Sequence, residues 1–172
     1  MNFKSTLCGA AAVVAMLALL LGAVGSASAQ TPLGPPSGIG AGVFLPNTDW
    51  AKKGGDSQLA LDLRYNFMGI PLTDTRTVLD LGYEGGSHSG SHSTIVPLTI
   101  GEYFGSGSPT SGMPYIGAGV GAYYIDQSAA SVTTRFGGYV AAGYTLSALF
   151  AEAKYQFLDK GNGTTLEVGL MF

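Results

Sequence analysis

Hydrophobic and polar residues alternate with a period of two along most of the chain from residue 38 onwards. Such alternation, bounded by clusters of Gly, Pro, Asn, Asp and Ser, is typical of β-strands. Most of the segments are close to the ~9 to 11 residues that a tilted strand needs to cross a membrane, and an even number can close into an antiparallel barrel without free edges. The pattern predicts eight strands: Gly38–Leu45, Ser57–Phe67, Arg76–Gly85, Thr94–Phe104, Pro114–Asp126, Val132–Leu146, Leu149–Phe157 and Thr164–Phe172.

The charged residues share one face of each predicted strand. In the second strand, Leu59, Leu61 and Leu63 alternate with Asp62 and Arg64, and the third, sixth and seventh strands repeat this segregation. If the charged face were outside, the chain would form a soluble barrel with an apolar pocket, as in lipocalins. If it were inside, the chain would form a membrane barrel with a polar lumen.

Glycine rows and the positions of the aromatic residues favour the membrane barrel. Glycines alternate with apolar residues over Gly38–Val43 and again over Gly117–Ala122. In a narrow lumen, missing side chains make room for large ones from other strands, whereas glycines on a soluble exterior would only weaken the strands. Aromatic residues of the apolar face lie near strand ends, where the interfacial girdles of a membrane barrel lie. They are Phe67, Tyr83, Phe104, Tyr124, Tyr144, Tyr155 and Phe172.

The shortage of charge indicates that much of the exterior does not face water. Charged residues make up 11% of the chain, against the ~25% that is usual for soluble domains. The formal net charge is −3, and it becomes −4 if Lys4 is lost with a signal peptide, because seven Lys and Arg then remain against eleven Asp and Glu. No basic patch stands out, so a nucleic-acid partner is not expected.

The first 29 residues have the pattern of a secretory signal. Lys4 precedes the apolar run Leu7–Val24, and Ala27–Ala29 supplies small residues for cleavage. We expect residues 1–29 to be removed, residues 30–37 to form a Pro/Gly linker and residues 38–172 to form the barrel; an uncleaved membrane anchor is the alternative. Cys8, the only cysteine, lies inside the signal, so neither a lipid anchor nor a disulfide is expected.

Three segments resemble the small outer-membrane β-barrel family that includes the OmpA barrel domain and OmpX. They are Pro114–Ile125, Phe136–Tyr144 and Phe150–Tyr155. The resemblance implies an eight-stranded antiparallel up-and-down transmembrane β-barrel in the outer membrane, in contact with outer-membrane lipid. It also implies escort by periplasmic chaperones and insertion by the barrel assembly machinery, which recognises a last strand that ends in an aromatic residue. The corresponding assembly signal here is Leu166, Val168, Leu170 and Phe172.

Both histidines lie in the segment Ser87–Ser93 of a predicted loop. Outer-membrane barrels include enzymes that modify lipid A with Ser and His, but the pattern of a Ser two residues after His is missing, since Gly90 and Thr94 occupy those places. No carboxylate is obviously placed to orient an imidazole, although Glu84 is close in sequence. A solvated loop is the favoured interpretation, with weak metal binding and catalysis as alternatives. We therefore predict no catalytic, cofactor or metal site, and the glycine runs lack the spacing of a dinucleotide fingerprint.

The inward charges form the candidate functional feature. An eight-stranded barrel leaves room for little beyond side chains, so five acids and four bases should pair and fill the lumen, which favours a plugged scaffold over a pore. This predicted charge network comprises Asp62, Arg64, Arg76, Asp80, Glu84, Arg135, Glu152, Lys154 and Glu167.

Orientation follows from loop lengths if both ends of the barrel chain are periplasmic. The external connections are then Pro46–Asp56, Gly86–Ser93, Gln127–Ser131 and Leu158–Gly163, and the internal ones are Met68–Thr75, Gly105–Met113 and Ser147–Ala148. In the first external loop, Asp49, Trp50, Lys52, Lys53 and Asp56 are candidates for contact with lipopolysaccharide phosphates or with a partner, although a solvated loop is favoured.

The sequence thus predicts a non-enzymatic integral outer-membrane barrel that contributes to envelope integrity or surface contact. A lipid-modifying outer-membrane enzyme is the alternative, and a soluble periplasmic ligand-binding barrel is the third possibility.

Overall fold

A computed structural model describes residues 37–66, 75–105, 112–128 and 131–172. The predicted signal peptide, almost all of the linker, and most of the predicted connections Met68–Thr75 and Gly105–Met113 lie outside the described residues, as do Phe67 and residues 129–130. Within the described part, no helix is long and apolar enough to cross a membrane.

Eight antiparallel strands form a closed barrel in which each strand pairs with the next along the chain and the first pairs with the last. This confirms the predicted up-and-down barrel. The strands are β1 (Gly38–Pro46), β2 (Gln58–Asn66), β3 (Thr75–His88), β4 (Ser91–Gly105), β5 (Met113–Gln127), β6 (Thr133–Leu146), β7 (Leu149–Phe157) and β8 (Gly163–Met171).

One predicted external loop is wrong. Gly86–Ser93 was expected to be a loop because it is rich in Gly and Ser, but β3 and β4 extend through it to a two-residue turn. The turn residues Ser89 and Gly90 have φ of 50° and 80°, and positive φ at both positions matches the twist of a tight hairpin. The hairpin therefore extends beyond the part of β3 and β4 in which apolar and polar residues alternate.

The exterior of the barrel is apolar. The exposed faces of β5, β6 and β8 carry Ile116 (63% exposed), Phe136 (86%) and Val168 (66%), whereas Arg64 and Asp80 are 1% exposed in the lumen. A soluble monomer rarely exposes a continuous apolar surface, and the polarity is opposite to that of a soluble barrel with an apolar pocket. The barrel surface is that of a membrane protein.

The glycine rows face the lumen and leave space for large side chains, as predicted. A Cβ added at Gly119 would lie 2.5 Å from Cε1 of Tyr139, and one added at Gly117 would lie 2.5 Å from Cδ1 of Tyr103. The two tyrosines are almost fully buried. Glycine in β5 is therefore required by the volume of the aromatic side chains that fill the lumen.

A short cap closes one end of the lumen. The 3-10 helix η1 (Ala51–Gly54) lies in the connection between β1 and β2 and buries Ala51 completely. Ala51 joins an apolar cluster in the barrel mouth, and the half-buried Trp50 packs against it. We call this end the capped end. The other members of the cluster are Phe44, Ala60, Ile95, Tyr123, Ile125 and Leu158.

The first prediction tests which face contacts lipid. Val140→Arg places a charge on the exterior near the middle of β6, where Val140 is 46% exposed, and should lower the free energy of unfolding by ~2 to 4 kcal/mol. Thr134→Arg is the control, because it puts the same side chain on the same face of the same strand near its end, where the expected cost is ~0 to 1 kcal/mol. Denaturant titration of the protein in lipid vesicles measures both. Equal costs would contradict the assignment of faces.

The second prediction tests the space above the glycine rows. Gly119→Ala should lower the free energy of unfolding by ~1 to 3 kcal/mol, because its Cβ would lie 2.5 Å from both the Ile100 carbonyl oxygen and Tyr139. Gly138→Ala is the matched control on the neighbouring strand, where the nearest atom is 3.1 Å away. The same titration should show little change for the control. A stabilised Gly119→Ala barrel would argue against a packed lumen.

Candidate functional site

Seven of the nine predicted lumen charges lie together inside the barrel. They come from β2, β3, β7 and β8, which form one side of the lumen, while Tyr103, Tyr115 and Tyr139 of β4 to β6 form the other side. Alternation in each strand directs these side chains inward, and the closure of β1 on β8 brings β2 close to β7 and β8. The seven are Asp62, Arg64, Asp80, Glu84, Glu152, Lys154 and Glu167.

Arg64 is the centre of this charge cluster. Its guanidinium donates to Asp62 Oδ2 at 3.0 Å from Nη2, to Glu152 Oε2 at 3.0 Å from Nη1, and to Glu167 Oε1 at 2.5 Å from Nη2. Its other side lies over the ring of Phe150, 4.3 Å from the centroid. A planar guanidinium with five donors can serve three carboxylates at once, which a point charge on a lysine cannot do in the same geometry.

Lys154 neutralises the carboxylates nearer to β3. Its Nζ lies 3.0 Å from Asp80 Oδ2 and 3.4 Å from Asp62 Oδ1. It also lies 5.3 Å from the centroid of the Tyr139 ring, within the range of a cation–π contact. Asp62 therefore bridges the two cations and makes one network of them.

Glu84 is held by neutral donors instead. Gln156 Nε2 donates to Glu84 Oε2 at 2.8 Å, and the Thr165 hydroxyl donates to Glu84 Oε1 at 2.7 Å. The same Gln156 amide donates to the Gly161 carbonyl at 2.9 Å and so ties the cluster to the β7–β8 connection.

Arg76 and Arg135 lie apart from the cluster. Arg135 is on a lumen-facing position of β6, but it stands at the barrel rim and pairs at 3.0 Å with the exposed Asp159. Arg76 is half-buried near the start of β3, opposite Tyr103, and no described ion pair joins it to the cluster. Among the described residues, the interior cluster thus contains five carboxyl groups and two cations, formally −3 in place of the expected −1.

The space beside the cluster is about the size of one water molecule. A cavity of about 20 Å³ is lined by Asp80, Glu84, Tyr139, Lys154 and Glu167 among others, and a water needs about 10 to 15 Å³. Asp80 Oδ1 and Glu167 Oε2 are buried without a protein hydrogen-bond partner. A water molecule in this cavity would meet part of that demand, but the cavity is too small for a substrate.

One histidine has partners that the sequence did not reveal. Ser128 Oγ lies 2.7 Å from Nδ1 of His92, and Asp126 Oδ1 lies 3.7 Å from Nε2 of the same ring. His88 is exposed at the end of β3. Glu84, the carboxylate that is close in sequence, points into the lumen and does not orient either ring. Among the described residues no group of three or more His, Cys, Asp and Glu side chains could hold a metal ion.

The predicted assembly residues lie on the lipid face of β8. Leu166, Val168 and Leu170 are exposed there, and Phe172 follows the strand with its backbone N–H donating to the Ser37 carbonyl at 2.9 Å. Their role in insertion remains a prediction.

The third prediction concerns the cluster. Arg64→Ala should lower the free energy of unfolding by about 3 to 5 kcal/mol, because it removes the cation that three buried carboxylates share. Arg135→Ala is the control: its pair with Asp159 is exposed, and its loss should cost ~0 to 1 kcal/mol. Denaturant titration of both variants in detergent micelles, followed by circular dichroism, makes the comparison. Equal losses would show that the cluster does not hold the barrel together.

No protein-family model and no curated protein matches this sequence. Among solved structures, the barrel is similar to Neisserial surface protein A, with a TM-score of 0.62 and 12% identity over 79% of this chain and 96% of that one. It is also similar to the outer-membrane enzyme PagL, with a TM-score of 0.50 and 16% identity over 79% of this chain and 98% of that one. Since an enzyme is among these neighbours, the fold does not decide between scaffold and enzyme. The chain has the fold of the small eight-stranded outer-membrane β-barrels, and its apolar exterior agrees with that location.

Proposed function

We propose that this chain is an integral outer-membrane barrel that works as a closed scaffold and contributes to envelope integrity or to contacts at the cell surface. The observation that carries the proposal is the filled lumen. Arg64 is 1% exposed with three carboxylates around it, and the adjoining cavity holds about one water. A hydrated ion would have to break this network in order to pass.

The cap forms a second seal. Gln58 Nε2 donates to the Ala51 carbonyl at 2.7 Å, and Gln127 Nε2 donates to the Trp50 carbonyl. Both glutamines are almost fully buried, and their amides donate to backbone oxygens of the cap in the barrel mouth. The cap is thus fixed by side chains from β2 and β5.

The proposed surface contact lies on the cap. We place the capped end outside the cell, where Asp49, Lys52, Lys53 and Asp56 are exposed. The two lysines could bind lipopolysaccharide phosphates as point charges. Trp50 is half-buried against the mouth cluster, so it anchors the cap and is not available as a contact residue.

This scaffold function requires no catalytic step. The lumen carboxylates are held by Arg64, Lys154, Gln156 and Thr165 and are out of reach of a substrate. We therefore treat the barrel interior as non-enzymatic.

The fourth prediction is that the barrel does not conduct ions. Purified protein in planar lipid bilayers should show no unitary current steps, because the charge cluster and the cap both close the lumen. A porin in the same bilayers serves as the positive control. Stable unitary steps from the wild-type barrel would overturn the closed-scaffold proposal.

A variant can show which seal matters. Gln58→Ala combined with Gln127→Ala releases the cap and leaves the charge cluster in place. We expect this variant to remain silent. If it conducts while the wild type does not, the cap is the seal and the cluster has a purely stabilising role.

A further inference from the structure

The contact among Ser128, His92 and Asp126 lies outside the lumen, on the outer face of the barrel at the capped end. His92 lies an even number of residues from the exposed Leu98 and Ile100 in β4, so its side chain points to the same outer face. Asp126 lies two residues from the exposed Tyr124 in β5 and also points outward. The strand register pairs Thr94 with Asp126 and Ser93 with Gln127, so His92 stands beside Ser128 in the next row. The three side chains therefore share one surface.

The hydrogen bonds around Ser128 suit a nucleophile in one of the two neutral tautomers of His92. The backbone N–H of His92 donates to Ser128 Oγ at 2.7 Å, and Ser128 Oγ lies 2.7 Å from Nδ1. A hydroxyl has one donor and two lone pairs, so in the His92 tautomer with its proton on Nε2 the Ser128 hydroxyl donates to Nδ1 while one lone pair accepts from the backbone. The second lone pair is free. With Nδ1 accepting, the ring proton is on Nε2, which faces Asp126 Oδ1 at 3.7 Å.

This arrangement is that of a nucleophile, a base and an orienting acid. The base here uses Nδ1 and the acid faces Nε2, the reverse of the nitrogens in serine proteases, but either ring nitrogen can accept a proton when the other carries one. The His92 side chain is 48% exposed and the Asp126 side chain 38% exposed, so water and a substrate can both reach the group.

The group lies on the water side of the aromatic belt, outside the hydrocarbon core. Tyr124 belongs to the aromatic belt, which marks the headgroup level, and Ser128 lies four residues further along the chain, about 13 Å at ~3.3 Å per residue. We propose that Ser128 is an activated nucleophile that hydrolyses carboxylic esters on the water side of the membrane, with His92 as the base and Asp126 as the acid that faces the other ring nitrogen. This activity is separate from the closed-scaffold function. Only the suggestion that the ester belongs to a lipid rests on the proposed membrane location.

The reaction balances without a further reagent. Ser128 Oγ bonds to the ester carbonyl carbon as its proton moves to Nδ1 of His92. The bond from that carbon to the alkoxy oxygen then breaks, and the alcohol leaves with the proton from Nδ1. Water attacks the acyl-serine and gives a proton to Nδ1, the carboxylic acid is released, and Nδ1 returns the proton to Ser128 Oγ.

The fifth prediction is that a fluorophosphonate probe labels the folded protein in micelles at Ser128, as located by peptide mass spectrometry. Ser128→Ala should abolish labelling, and His92→Ala should slow it by about 100-fold or more, the usual contribution of a general base. Ser87→Ala and His88→Ala, on the same hairpin, should label as the wild type does. These side chains lie at the surface, so the variants are expected to fold. The gel shift on boiling verifies folding for each one.

Two esters distinguish the source of the substrate. Hydrolysis of p-nitrophenyl palmitate in mixed micelles that exceeds that of soluble p-nitrophenyl butyrate supports a lipid ester, and the reverse order supports a soluble ester with the same serine chemistry. Labelling of Ser128 no faster than that of Ser87, or labelling that His92→Ala leaves unchanged, would overturn the proposal. Neither result depends on whether the barrel conducts.

Discussion

The narrowness of an eight-stranded barrel constrains everything inside it. With eight strands the interior is just wide enough for side chains, and in a membrane every backbone group must already be paired in the ladder. The lumen must therefore be filled by side chains that satisfy one another. Glycine rows on β1 and β5 make the volume available, tyrosines and phenylalanines occupy much of it, and the charges fill the rest.

Burying charges in this space has an energetic consequence. Removing ions from water costs several kcal/mol each, and only close pairing with further hydrogen bonds repays that cost. The arrangement around Arg64 meets this condition, since one planar cation serves Asp62, Glu152 and Glu167. A sheet closed on itself brings β2 within reach of β7 and β8, so the cluster ties together strands that are far apart in sequence. The plug and the closure of the barrel thus support each other.

The sequence predicted the faces of the strands better than their depth. A period of two decides which side chains point inward, and all the buried charges have the predicted parity. The alternation does not determine the position of a residue along the barrel axis. Arg135 has the inward parity of Tyr139, yet it lies above the lumen and pairs with Asp159 in water. Depth depends on the tilt and register of neighbouring strands, which no single strand encodes.

Contacts between strands were the other unpredictable part. The cap was missed because Ala51–Gly54 has no periodic pattern, and its burial depends on Gln58 and Gln127 from two other segments. The long β3–β4 hairpin was missed because Gly86–Ser93 is rich in Gly and Ser and has no apolar alternation. Those extra residues bring His92 level with Ser128, across from β5. If Gly86–Ser93 were a loop, the ladder would not hold His92 beside Ser128. The extension of β3 and β4 therefore places His92 within hydrogen-bond distance of Ser128 on the outer face.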